Sequence, residues 1–326
     1  MKKFFKPILI LFCAAVLLAS CKKEIKWIDS LENAKLQANE EEKDILLLFT
    51  GSDWDDCTDS FKTAVINTKE FREAFNEEYV FVNLDFSQNV LLGSYIDDDA
   101  TEEQKAEAEK NMADFDKKVE LYKTYSVKKF PAVYFLSKEG YVLDAVPYDP
   151  EMTDWNEFDS RVHHEKIKSV KEIIVRIRES KDIEKARAIN ELFESTEPVF
   201  ASPLRDLIYD FESLDPEDET GLLNSYRMNK IYFKAYDALR ANEDAALVFE
   251  QAAKDDELVP AAEDKQNLYS MAAYMLLQKG KVEDEYDYDR ILKDLQKAYE
   301  ADPDSAGSEK LLQQIEVTKT ILENDI

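Results

Sequence analysis

Ile45-Leu46-Leu47-Leu48-Phe49-Thr50-Gly51-Ser52-Asp53-Trp54-Asp55-Asp56-Cys57-Thr58 is the stretch that decides the architecture. Ile45 to Phe49 is a continuous apolar run bounded by polar residues. A run this short predicts a strand buried on both faces. The turn after it leads into Phe61, Ala64, Val65, Phe71 and Phe75, apolar positions at helical spacing. Strand, polar turn and helix therefore follow in that order, and the turn carries four aspartates around a single cysteine.

The flanking sequence extends the same alternation. Trp27, Ile28, Leu31, Ala34 and Ala38 recur every three or four residues and predict a helix ahead of the strand. Tyr79 to Leu84 is a second strand. After a polar stretch with Asp97-Asp98-Asp99 comes a helix from Thr101, with Met112, Phe115, Val119 and Tyr122 as its apolar stripe. Phe130 to Leu136 is a third strand that opens with Pro131. Ser137-Lys138-Glu139-Gly140 reads as a hairpin turn and Tyr141 to Ala145 as the return strand. Ile167, Val170, Ile173, Ile174 and Ile177 close the unit with a helix. The expected order is αβαβαββα over residues 27–180.

These residues resemble the thioredoxin superfamily, and within it a bacterial branch that carries Phe-Thr-Gly-Ser-Asp-Trp ahead of its cysteines. Phe49 to Trp54 matches that run throughout, and Asn67-Thr68-Lys69-Glu70-Phe71 fits the branch's Thr-x-Glu-Phe segment. Phe130-Pro131-Ala132 fits the superfamily's proline, which the resemblance implies is cis and faces the motif loop. The likeness covers residues 26–178, with an extended region near 87–120. By the same alignment Asp55 occupies the first cysteine position, Thr58 the second, and Cys57 an intervening one. Leu48 stands where many thioredoxins hold a buried acid.

Those departures remove the family's chemistry. Exchange needs a thiolate at the first position and a second thiol to resolve the mixed disulfide, whereas a carboxylate at Asp55 cannot exchange. Cys57 is left as a lone candidate nucleophile. A helix N-terminus favours a thiolate by ~0.3–1 kcal/mol, but Asp53, Asp55, Asp56 and Asp59 each oppose it by ~1 kcal/mol at 4 Å in water. Repulsion wins, so Cys57 is expected to react slowly. Trp54, Phe130 and Pro131 are the expected binding loop. The four aspartates are also weak candidates for a calcium site, since calcium takes six to eight oxygens at loose geometry. They lack an EF-hand spacing and equally suit helix capping. His163 and His164, the only histidines, are adjacent and would diverge by ~100° on a helix, a poor chelate. No cofactor is expected.

Both ends add context. Lys2, Lys3 and Lys6, then the apolar Ile8 to Leu18, read as a signal over residues 1–20. Leu18-Ala19-Ser20-Cys21 resembles the lipobox of bacterial lipoproteins, which implies lipidation of Cys21, a linker over 21–26 and an extracytoplasmic body. Lys22 after Cys21, in place of an inner-membrane retention aspartate, favours the outer membrane. The 326-residue chain carries a formal charge of −28, which repels nucleic acid and anionic headgroups. Residues 181–326 lose all strand signal. Ala245, Phe249 and Ala252 recur as Ile291, Leu295 and Ala298, resembling one helix of a tetratricopeptide repeat, though 46 residues apart and with an acidic insert from Val282 to Tyr288. A helical-repeat or bundle domain is expected there. The combined expectation is a lipid-anchored envelope protein, without the dithiol motif, that binds protein or peptide segments. The alternative is a thiol-disulfide oxidoreductase acting through Cys57.

Overall fold

The computed structural model describes residues 24–96 and 100–324. The expected signal, the lipidation site Cys21 and Asp97 to Asp99 lie outside the described residues. Five strands form one mixed sheet, β1 (Trp27–Ile28), β2 (Asp44–Thr50), β3 (Tyr79–Asp85), β4 (Ala132–Leu136) and β5 (Val142–Pro147). Their order is β1-β3-β2-β4-β5. β1 and β2 run parallel to β3, while β4 lies antiparallel to both β2 and β5. The apolar run is the central strand β2, and its pleat divides it between two cores. Leu46 and Leu48 join one core, and Ile45, Leu47 and Phe49 the other, as a period of two requires.

Helices cover both faces. α1 (Leu31–Glu41) precedes β2, and α2 (Asp56–Phe61) runs through a π-helical turn, Lys62–Ile66, toward α3 (Lys69–Phe75). α4 (Gln88–Leu92) and α5 (Glu102–Thr124) follow β3, and α6 (Trp155–Asp159) and α7 (His164–Glu179) follow β5. α1 and α5 line the face of Ile45, Leu47 and Phe49. α3, α6 and α7 line the opposite face.

The first expected helix is shorter than its periodicity suggested. Trp27 and Ile28 are not helical: they form β1, paired with Phe81 and Val82 of β3. Ser30 accepts the Asn33 N–H at 3.3 Å and caps α1 at Leu31, so the helix cannot run back to Trp27. Trp27 instead meets Phe81 edge-on at 5.4 Å.

Beyond residue 180 every described element is helical: α8 (Asp182–Ser195), two short turns at Pro198–Phe200 and Ser202–Leu204, α9 (Arg205–Leu214), α10 (Leu223–Arg240), α11 (Ala245–Ala253), α12 (Ala262–Glu283), α13 (Tyr288–Ala301) and α14 (Ser308–Asn324). The core on the α7 face continues through α8 and α9 to Tyr226 at the start of α10. A second core begins at Ile231 and ends at Ile315. From α10 to α14 each helix packs on the next. The recurring positions Ala245, Phe249, Ala252, Ile291, Leu295 and Ala298 are all buried, on α11 and α13. The acidic insert is also used: Tyr286 folds back over Gly280, where a Cβ would fall 2.4 Å from its ring. No described helix is long and apolar enough to cross a membrane.

Candidate functional site

Each residue of the turn after β2 is fastened to a named partner, mostly at the end of β3. The Thr50 hydroxyl lies 2.9 Å from Asn83 Oδ1 and 2.7 Å from Asp85 Oδ1, so its proton is shared between them. Ser52 gives Asp85 its backbone N–H at 2.9 Å and its hydroxyl at 2.5 Å. The Trp54 Nε1–H donates to the Phe86 carbonyl at 2.7 Å. Gly51 is required by this last contact, because a Cβ there would stand 2.5 Å from the Trp54 ring. The resemblance in Phe49 to Trp54 is thus a set of structural fastenings, none of which needs sulfur.

The aspartates divide their work. The Asp53 carboxylate accepts the Ser87 hydroxyl at 2.6 Å and the Gln88 and Asn89 N–H groups at 2.8 Å each, holding the start of α4. Those bonds, the Ser87 hydroxyl first and the Asn89 N–H next, keep its carboxyl below the usual range. Asp55 caps α2, accepting the Thr58 N–H at 3.0 Å and the Thr58 hydroxyl at 2.6 Å. Thr58 is wholly buried and its oxygen also accepts the Gly51 N–H at 3.2 Å. Asp55 and Thr58, the positions at which the sequence resemblance expects the two cysteines, meet here as carboxylate and hydroxyl. Asp56 and Asp59 remain exposed, with no described cation paired to either. Asp53 and Asp55 hold different partners, and no group of three or more metal-ligating side chains converges among the described residues.

The cis peptide bond expected at Phe130-Pro131 is present. Phe130 meets Trp54 edge-on at 5.5 Å and stacks obliquely on Phe86 at 5.2 Å. The Pro131 carbonyl accepts the Tyr148 N–H at 3.0 Å, which sets Tyr148 beside the motif loop. Cys57 is half-buried next to it. The Tyr148 phenol is raised above its ordinary value, first by lost solvation and then by the Cys57 thiol. Trp54, at 43% exposure, and the half-buried Cys57, Phe130 and Tyr148 thus lie around the buried Pro131.

Sequence reasoning missed Asp85 as an anchor of the loop and Tyr148 as a neighbour of Cys57. Asp85 ends a strand and Tyr148 follows one, and neither position carries a local signal of a contact 33 residues or more distant. The histidine pair behaves as its adjacency suggested. His163 turns to the buried Asp144 at 3.2 Å and His164 to Asp159 at 3.0 Å. Leu48 is buried opposite Val133, so that place holds no proton carrier.

A family model described as a thioredoxin-like domain matches residues 31–149. A second, described as an uncharacterised protein C-terminal domain, matches residues 222–324. A solved structure titled DsbH Oxidoreductase is similar at 26% identity, covering 39% of this chain and 75% of that chain, with a TM-score of 0.29. No curated protein matches the chain. The chain is a thioredoxin-like domain built on a five-stranded mixed sheet and followed by an all-helical region.

Proposed function

We propose that this chain is a lipid-anchored, extracytoplasmic protein that binds polypeptide segments on the surface of Trp54, Phe130, Pro131 and Tyr148 and does not exchange disulfides. The observation that carries this reading is the Asp55–Thr58 pair. A loop closed by a 2.6 Å hydrogen bond keeps the shape of the motif while offering no sulfur at either motif position. The aromatic surface and the cis proline beside it are retained, so what remains is a recognition surface. Side chains such as a half-exposed tryptophan contribute disproportionately to binding. The helices α10 to α14, with their tetratricopeptide-like recurrence, supply a second contact surface. The anchor is Cys21, and Lys22 after it favours the outer membrane.

The second reading, exchange between Cys57 and a partner's thiol, draws on the partial exposure of that side chain. Peptide binding separates the two. With a library of labelled extended peptides, Trp54→Ala should weaken the bound members by roughly tenfold, and Cys57→Ser should leave affinity unchanged. Binding that disappears in Cys57→Ser and survives Trp54→Ala would favour the thiol instead.

A further inference from the structure

We propose that α4 and the turn after it, with Trp54, form a docking surface for a cationic polypeptide segment carrying apolar side chains; this rests on the peptide-binding reading above. α4 buries none of its residues. Val90, Leu92, Tyr95 and Ile96 are 47%, 64%, 70% and 40% exposed, and Trp54, bonded to Phe86 ahead of α4, is 43% exposed. Single exposed apolar residues are ordinary on protein surfaces, but a contiguous group marks an interaction site. Here the group is held in place. Asp53 fastens α4 through three hydrogen bonds, and Trp54 is tied to the Phe86 carbonyl two residues before α4 begins. The start of α4 is therefore tied to the motif loop, at the edge of the Trp54–Phe130 surface.

Charge selects the occupant. Asp56 and Asp59 stand exposed on α2, with no cation paired to either among the described residues. The nearby Lys118 ammonium is occupied, donating to the Asp85 carbonyl at 2.9 Å. The whole chain is at −28. A second copy would bring like charge to like charge, and an anionic lipid surface would be repelled in the same way. A polypeptide with lysine or arginine between apolar residues satisfies both halves: its apolar side chains cover Leu92 and Tyr95, and its cations meet Asp56 and Asp59.

The test is a titration of the purified full chain with a fluorescein-labelled peptide of alternating leucine and lysine. Two counterparts replace every lysine by glutamate or every leucine by serine. The leucine–lysine peptide should bind, and each counterpart should bind about tenfold or more weakly. Leu92→Ser with Tyr95→Ser should cost about tenfold. Asp56→Asn with Asp59→Asn should cost severalfold and flatten the salt dependence. These residues are exposed, and an unchanged unfolding midpoint confirms that the variants fold. If the Leu92/Tyr95 variant binds like the native chain while Trp54→Ala does not, the docking surface is overturned and the peptide-binding reading stands. If no peptide binds, both fall. Equal binding of the glutamate peptide overturns the cationic assignment.

Discussion

A chain carrying Asp55→Cys, Cys57→Ser and Thr58→Cys together is expected to reduce insulin with dithiothreitol as donor, on the order of tenfold or more above the native chain. Asp55 and Thr58 already meet side chain to side chain at 2.6 Å, at the N-terminus of α2. The fastenings of Thr50, Gly51, Ser52 and Trp54 do not involve either residue's replaced atoms, apart from the Gly51 N–H that rests on the Thr58 oxygen. Sulfurs placed there would have one opposing carboxylate, Asp55, removed and a second thiol in reach to resolve the intermediate. Loss of the cap costs about 1 kcal/mol, which is small against the stability of a domain with two apolar faces. Cys57→Ser removes the competing thiol. If the variant folds with its cysteines pairing but shows no turnover, then the surrounding surface, and not the motif alone, has lost the chemistry.

The second large effect is a pH dependence in the helical region. Asp294 on α13 is 1% exposed, and no ion pair holds its carboxyl among the described residues. Glu250 of α11 faces it, and Glu250 is itself engaged by Arg290 Nε at 2.6 Å, with Asp244 holding the other side of that guanidinium at 2.5 Å. Lys297 on α13 and Tyr269 on α12 complete the surroundings. Burial first, and the negative charge of Glu250 next, push the Asp294 carboxyl from 3.8 up to about 7. The folded chain thus holds a proton that the unfolded chain has released. Its stability should fall as pH rises from about 4 to about 7 and level off above that. Asp294→Asn keeps the shape without the charge. It should flatten this slope and, at pH 8, leave the chain more stable than native by on the order of 2 kcal/mol. That is about half the full conversion of the shift, because water and helix relaxation soften a buried charge. Urea midpoints at pH 5 and pH 8 measure it. A native chain that gains stability between those values contradicts the assignment.

Most of the sheet was legible because the signals were local and redundant. Ile45 to Phe49 could only be a strand between two apolar layers, and Phe130 to Leu136 and Tyr141 to Ala145 were joined by an unambiguous turn. β1 was not legible, since two residues carry no period and Trp27 and Ile28 fit the phase of the helix behind them. Only the pairing with Phe81 and Val82, more than 50 residues away, makes them a strand. The site was legible as an inventory and not as an arrangement. Asp53 and Asp55 look alike in the sequence, yet one holds α4 and the other caps α2. Which donor each meets depends on where β3 ends. Asp294 was invisible for a related reason: it sits one residue from Leu295 on a helix with a clear apolar stripe, and burial of its flank comes from α11 and α12.

The refilled loop is expected to perform no sulfur chemistry. The direct measurement is insulin reduction and mixed-disulfide trapping by the native chain beside Cys57→Ser, with glutathione or dithiothreitol as donor. Two indistinguishable traces at the uncatalysed rate are predicted. Turnover by the native chain that vanishes in the serine variant would contradict it.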